Sequence, residues 1–142
     1  MYFRRLTVAC AALASLALSA VPAAPAQRAV ATDISRTSPY GQLSAKAYWQ
    51  SRGSLTIPAS SLGDTCGDGH RSYWQIVWNP GTSSEGAGGK RYADECRTTA
   101  WRNPTRVSAA YIRSIDVWVC HHRWWGTDAC DRATYHNPYY TP

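Results

Sequence analysis

The sequence predicts an all-β fold, namely a small antiparallel β-sandwich held by two disulfides, with a small β-barrel as the alternative. Three observations support this prediction. Short segments alternate apolar and polar side chains with the period of a β-strand. Clusters of glycine, proline, serine and aspartate separate these segments, and no helical apolar period of useful length occurs. Six or seven short strands are therefore expected in a single domain.

The N-terminal segment 1–26 is expected to be a secretory signal peptide. Two arginines precede an apolar run, and small residues with the A-x-A pattern of Ala24 and Ala26 follow it. The run is short for a membrane span and no second one follows, so no transmembrane segment is expected after cleavage. The mature protein is predicted to begin at Gln27 and to be extracellular.

The remaining chain is divided into a leader and one β domain. Residues 27–40 show no sustained period and are expected to be a flexible leader, whereas residues 41–142 form the domain, which ends in an extended aromatic tail. Loops rich in glycine, serine and aspartate are expected at 59–70 and 79–90. The expected strands are 43–50, 54–58, 71–78, 91–99, 106–112 and 113–122. Because the strand 71–78 is apolar on both faces, it is predicted to be central.

Composition limits both the core and the class of partner. Without residues 1–26 the chain keeps 13 leucine, isoleucine and valine residues, but also seven tryptophans and eight tyrosines. The core is therefore expected to be built largely from tryptophan and tyrosine, whose polar atoms need partners. The same segment carries 13 basic and 9 acidic side chains, a net charge of +4, and its arginines are scattered. This pattern is not that of a nucleic-acid-binding surface.

Four cysteines remain after cleavage, and an even number in a small exported domain indicates two disulfides. Three pairings are possible. The favoured one joins Cys120 to Cys130, because a strand, a loop and a return easily close that gap, and leaves Cys66 to pair with Cys96. Each bridge is expected to contribute about 2 to 4 kcal/mol through the unfolded state.

Short motifs give the chain a resemblance to a known group of proteins. "DGH" precedes an aromatic strand, "IDVWVC" forms a late strand, and a second cysteine follows about ten residues later. In this order they resemble small secreted actinobacterial (Streptomyces-like) disulfide-containing β-sandwich proteins, most of which have no known function. The resemblance implies the fold and the location. It carries over no catalytic residue.

The segment "VCHHRWWGTDAC" concentrates residue types that bind metals, but no metal or other cofactor is expected there. A disulfide removes the thiolates, and His121 and His122 point to opposite faces if the strand continues through them. Asp64 and Asp68 offer oxygen ligands for calcium, yet their spacing is not that of an EF-hand. Here a turn in which Asp68 caps backbone amides is the favoured interpretation.

Enzymatic activity is the third hypothesis for this chain. No G-x-S-x-G motif is present and no serine stands in a persuasive arrangement with histidine and aspartate. A small secreted hydrolase remains possible through a pair of carboxylates. The candidates for such a pair are Asp64, Asp68, Asp94, Glu95 and Asp116. No catalytic residue is assigned.

The leading hypothesis is a secreted non-enzymatic module that binds cell-wall or environmental polysaccharide. Trp124 and Trp125 lie in a loop before a glycine, and a tryptophan face stacks on a sugar ring. Arg123 and Tyr139 complete the candidate binding set. The competing interpretation is that Trp124 or Trp125 covers the end of the core. The alternative function is a proteinaceous inhibitor or toxin-like factor that presents the disulfide-held loop to an extracellular protein.

Overall fold

The structure is a computed structural model that describes residues 28–66, 69–81 and 85–140. The expected signal peptide, its cleavage site and Asp68 lie outside these residues. The described chain forms eleven strands and no helix, so none of it is a helix long and apolar enough to cross a membrane. The strands are β1 (Val30–Ser38), β2 (Gly41–Ser51), β3 (Ser54–Ile57), β4 (Ser60–Asp64), β5 (Ser72–Asn79), β6 (Gly86–Ala87), β7 (Arg91–Tyr92), β8 (Thr98–Trp101), β9 (Thr105–Ser108), β10 (Ser114–His121) and β11 (Ala129–His136).

Two antiparallel sheets form the predicted sandwich-like arrangement, which confirms the fold class. The first sheet has the order β8-β4-β2-β3-β9. Strands β4 and β3 pair with successive parts of one edge of β2, and β1 pairs with the other edge of β2. The second sheet has the order β11-β10-β5-β6, and β7 also pairs with β5. The strand predicted to be central, β5, lies between β10 and these two short strands. Its inner face, with Trp74 and Ile76, packs in the core, whereas its outer face, with Gln75 and Val77, is partly exposed.

The core between the sheets is mainly aliphatic, so the expectation of a core built largely from tryptophan and tyrosine was wrong. Every leucine and isoleucine that the structure describes is buried, whereas Trp49 and Trp74 are the only buried tryptophans. Strand alternation directs the few aliphatic side chains inward. Of the other large aromatic rings, some, such as Trp78 and Trp101, are partly buried against this core, whereas Tyr111, Trp124 and Trp125 are exposed.

The segment 27–40, expected to be a flexible leader, instead contains the whole of β1. This strand pairs with β2 along its length and turns Thr32, Ile34 and Arg36 toward the protein. Only one of these three side chains is apolar, which explains why no period is visible in the sequence. Trp49 Nε1 donates to Thr32 Oγ1 at 3.1 Å, and Arg36 donates to Asp131 of β11 at 2.7 Å. Backbone pairing and polar contacts therefore hold a strand that apolar alternation does not reveal.

Other elements also differ from the prediction, and the expected strand 106–112 is shorter because β9 ends at Ser108. The expected loop 59–70 contains β4, whose inward side chains are Ser60 and Leu62, and the expected loop 79–90 contains β6. The expected strand 91–99 is interrupted, because Arg97 N donates to Asp94 O and closes a turn between β7 and β8. Hydrophobic periodicity does not detect these features, because small residues or a local turn interrupt the alternation of apolar side chains.

Candidate functional site

The β10–β11 hairpin positions the tryptophans. Cys120 and Cys130 face each other across the two strands and form a disulfide, as predicted. The loop beyond this disulfide, residues 122–128, is called the tryptophan loop below. Its ends are joined by a hydrogen bond from Arg123 N to Asp128 Oδ1 at 3.0 Å. The loop is thus closed by a covalent bond at its base and by a side chain within it.

Both tryptophans of this loop face solvent. Trp124 is 72 % exposed and Trp125 is 88 % exposed, and Arg123 is also exposed. The interpretation that they cover the end of the core is therefore wrong. The Trp124 ring meets the His122 ring edge-on, with centroids 5.6 Å apart. The loop therefore projects two large apolar surfaces beside basic and aromatic neighbours.

Asp128 connects the tryptophan loop to the body of the protein. Its Oδ2 accepts hydrogen bonds from Tyr73 Oη at 2.8 Å and from Lys90 Nζ at 2.9 Å. His122 Nδ1 lies 3.3 Å from Oδ1, although it is not aligned as a hydrogen-bond donor. The carboxylate thus contacts side chains from β5 and from the segment before β7, and it contacts the His122 ring and the Arg123 amide at the start of the loop.

The ionisation of this cluster follows from its contacts. Burial raises the pKa of Asp128, but the hydrogen bonds from Lys90, the Arg123 amide and Tyr73 outweigh burial and hold that pKa well below its usual range. The hydrogen bond to Asp128 raises the pKa of Lys90 above its ordinary 10.5. Burial, and then the hydrogen bond to Asp128, raises the pKa of Tyr73. Lys90 and Asp128 therefore form a persistent ion pair at neutral pH.

A groove of about 560 Å³ lies on the outer face of the second sheet, next to the tryptophan loop, and is called the outer groove. Alternation turns Tyr73, Gln75 and Val77 to this face because Trp74 and Ile76 point into the core. The other lining side chains are Trp118 and Cys120 from β10, Cys130 from β11, and Lys90, Thr127 and Asp128. The groove therefore combines an apolar floor with a polar rim.

Tyr139 does not join the tryptophans. It follows the far end of β11, where its hydroxyl donates to Arg28 O at 2.7 Å and its carbonyl accepts from Arg52 Nε at 3.2 Å. An eight-residue β11 separates it from the tryptophan loop, a distance of about 27 Å along an extended strand. The aromatic tail thus packs at the opposite end of the sandwich from the one expected.

The side chains of His121, His122 and Asp64 contact other groups of the protein. His121 and His122 lie on opposite sides of the sheet: the His121 ring is 5.0 Å from the Tyr40 ring, whereas His122 faces Asp128. Among the residues that the structure describes, no three histidine, cysteine or acidic side chains are grouped to hold a metal ion. Asp64 caps two amides, accepting from the N–H groups of Ser72 and Cys96 at 3.0 Å each.

Cys66 and Cys96 lie side by side on the surface as unlinked thiols. Their hydrogen bond raises the pKa of Cys66 to about 11. The residues predicted to be partners are thus neighbours, and their disulfide remains a prediction. Cys96 takes a left-handed backbone conformation with φ of 58°, in the turn that separates β7 from β8.

Sequence reasoning missed Tyr73, Lys90 and Gln75 as parts of the site. The alternation of β5 placed Tyr73 opposite the core face, which was the available signal for its position on the outer surface. The sequence contained no comparable signal for Lys90, which lies in a glycine-rich segment 38 residues from Asp128. No protein-family model, curated protein or solved structure matches this chain.

Proposed function

We propose that this protein is a secreted, non-enzymatic module that binds cell-wall or environmental polysaccharide through its tryptophan loop. The observation that carries the proposal is the exposure of Trp124 and Trp125, at 72 % and 88 %. A flat indole face packs well against the C–H face of a sugar ring, and neighbouring polar groups can bind the hydroxyls. Arg123 and His122 supply such groups beside the two rings.

The exposure of the tryptophans is costly for a chain with so few aliphatic side chains. A buried tryptophan removes roughly 200 Å² from water, and each Å² of apolar surface contributes about 25 cal/mol. At their observed exposure, Trp124 and Trp125 each forgo on the order of 4 kcal/mol, an upper estimate because free chains also bury some surface. A ligand that covers these rings recovers part of that free energy. This supports a binding role for the pair.

The loop is also held in place before any ligand arrives. The Cys120–Cys130 disulfide joins its two flanking strands, and Asp128 links its residues to Tyr73 and Lys90. Binding to such a loop loses less conformational entropy than binding to a mobile segment. The disulfide is compatible with an extracellular, oxidising location, which supports the secretion that the signal-peptide pattern predicts.

A sedimentation assay with insoluble peptidoglycan, chitin and cellulose tests this function. We expect the purified mature protein to sediment with at least one polymer, and Trp124→Ala and Trp125→Ala to weaken binding by about tenfold or more, since tenfold corresponds to about 1.4 kcal/mol. Tyr111→Ala is the matched control, because Tyr111 is 56 % exposed but precedes β10, at the other end of that strand. Its retention should be unchanged.

Two outcomes would count against this proposal. If the wild-type protein stays in the supernatant with all three polymers, polysaccharide binding is wrong, and the rival function gains support: an inhibitor or toxin-like factor that inserts the tryptophans into a protein partner. That rival rests on the same exposed pair, since tryptophan is enriched at the centres of protein interfaces. If wild type binds and both tryptophan variants bind equally well, the site lies elsewhere.

A further inference from the structure

We infer that the outer groove is a second subsite of the same surface, and that it selects polymers of N-acetylated hexosamines over plain glucans. This inference rests on the proposed polysaccharide binding and adds the class of sugar. It depends on three features of the described residues: continuity with the tryptophan loop, balanced charge, and an apolar floor beside amide-binding groups.

The groove and the tryptophan loop form one continuous surface. Thr127 and Asp128 line the groove and also end the loop. The His122 ring bridges the two regions, because it meets the Trp124 ring and places Nδ1 3.3 Å from Asp128. A sugar stacked on Trp124 therefore has the groove beside it. A volume of about 560 Å³ lies within the usual range of ligand sites.

The charges that line the groove cancel each other. Lys90 and Asp128 are the only charged side chains among the described lining residues, and their Nζ and Oδ2 atoms are 2.9 Å apart. The nearby Arg132 likewise lies 3.7 Å from Asp116. A strongly anionic polymer would find no uncompensated positive charge on the groove wall. The unit bound in the groove is therefore expected to be uncharged, as N-acetylglucosamine is in both chitin and peptidoglycan.

The floor of the groove is apolar although it lies on the outer face of a sheet. Outward positions of an antiparallel strand are usually polar, yet here Val77, Trp118 and the Cys120–Cys130 disulfide line the surface. A glucan can pack only its ring C–H faces on such a floor, because its substituents end in hydroxyl groups. The acetamido group of an N-acetylated hexosamine carries a methyl group that can pack on it.

The rim offers partners for the amide of the same substituent. Gln75 Nε2 donates to Gly88 O at 2.6 Å, and within the described residues the amide oxygen of Gln75 accepts no hydrogen bond. That oxygen can accept from the acetamido N–H. Lys90 Nζ has three donors and directs one to Asp128, so another can reach the acetamido carbonyl. One acetamido group can therefore pack its methyl group on the apolar floor and form hydrogen bonds with the rim at the same time.

Titration calorimetry with soluble tetrasaccharides tests the selectivity. The ligands are the fully N-acetylated chitin tetramer, its deacetylated form, cellotetraose, and a tetramer alternating N-acetylglucosamine with N-acetylmuramic acid. We expect both acetylated tetramers to bind at least tenfold more tightly than cellotetraose and the deacetylated form. The tighter of the two identifies chitin or peptidoglycan as the source of the ligand.

Two groove variants then assign the preference to the groove. Gln75→Ala removes the amide acceptor and Val77→Ser makes the floor polar, and each should reduce the preference for acetylated tetramers by at least threefold. Gln50→Ala is the matched control, since Gln50 is an exposed glutamine on the first sheet. Melting curves establish that each variant is folded. Because the two variants change different groups, the test still works if one of them does not fold.

The outcomes separate this inference from the proposed function. If cellotetraose binds as tightly as the acetylated tetramers, or if both folded groove variants keep the full preference, the groove inference is overturned while polysaccharide binding stands. If no tetrasaccharide binds and no insoluble polymer retains the protein, the proposed function fails and the groove inference fails with it.

Discussion

Asp128 is the side chain whose replacement tests most directly how the tryptophan loop is held. Asp128→Asn preserves size but removes the negative charge and replaces one acceptor oxygen by an amide. Tyr73 and Lys90 donate to Oδ2, and the Arg123 amide donates to Oδ1. Because asparagine has one acceptor oxygen, it cannot serve both groups of donors at once.

The size of the effect follows from these contacts. A hydrogen bond to a charged group contributes about 1.5 to 3 kcal/mol. The Lys90 side chain is 38 % exposed, so solvent screening reduces its share, whereas Tyr73 is buried. We therefore expect Asp128→Asn to lower the free energy of unfolding by about 2 kcal/mol. For a domain of this size that corresponds to a decrease in Tm of about 10 °C.

Urea unfolding followed by tryptophan fluorescence measures this change, and Asp116→Asn is its control. The side chains of Asp128 and Asp116 are 18 % and 19 % exposed, respectively, but Asp116 accepts one hydrogen bond, from Thr134, and lies 3.7 Å from Arg132. We expect Asp116→Asn to cost less than about 1 kcal/mol. Equal losses in the two variants, or no loss in Asp128→Asn, would refute the view that Asp128 anchors the loop.

Three further predictions concern acidity, packing and the second cysteine pair. The pKa of Asp128 is lowered in the folded protein, so the stabilisation that its carboxylate provides is complete above the ordinary pKa of 3.8 and declines as the pH falls below that value. The difference in unfolding free energy between wild type and Asp128→Asn should therefore narrow only below about pH 4. Gly86→Ala would place a Cβ against a tryptophan ring of β5 and should cost about 1 to 3 kcal/mol in urea unfolding, whereas Gly89→Ala, in open space, should cost far less. Peptide mapping by mass spectrometry without reduction should find Cys66 linked to Cys96; free thiols at both positions would contradict this.

The sequence predicted the elements whose apolar alternation is strong. Trp74 and Ile76 of β5, and Ile115, Val117 and Val119 of β10, point inward and alternate with outward residues, so both strands and their faces were recognised. The Cys120–Cys130 disulfide followed from its short spacing, and the separation of His121 from His122 followed from strand geometry. The sequence could not decide whether Trp124 and Trp125 are exposed, because a loop tryptophan can equally well lie over a core.

The features missed by the prediction depend on polar or distant contacts. β1 was overlooked because Thr32 and Arg36 share its inward face with a single isoleucine. The contacts of Asp128 with Tyr73 and Lys90 span 55 and 38 residues, and no local pattern indicates such pairs. The outer groove depends on how β5, β10 and β11 align side by side, and strand register is a property of the fold and not of any one segment.

The cross-strand disulfide makes the tryptophan loop part of a covalent ring. A protease that hydrolyses one peptide bond between Cys120 and Cys130 leaves the two new chain ends joined through sulfur. The backbone pairing of β10 with β11 outside the ring then continues to hold both fragments in register. A nicked molecule therefore remains one covalent unit, heavier only by one water, and keeps its sandwich. Within the described ranges, the most exposed aromatic residues thus lie where a single cut cannot release a fragment.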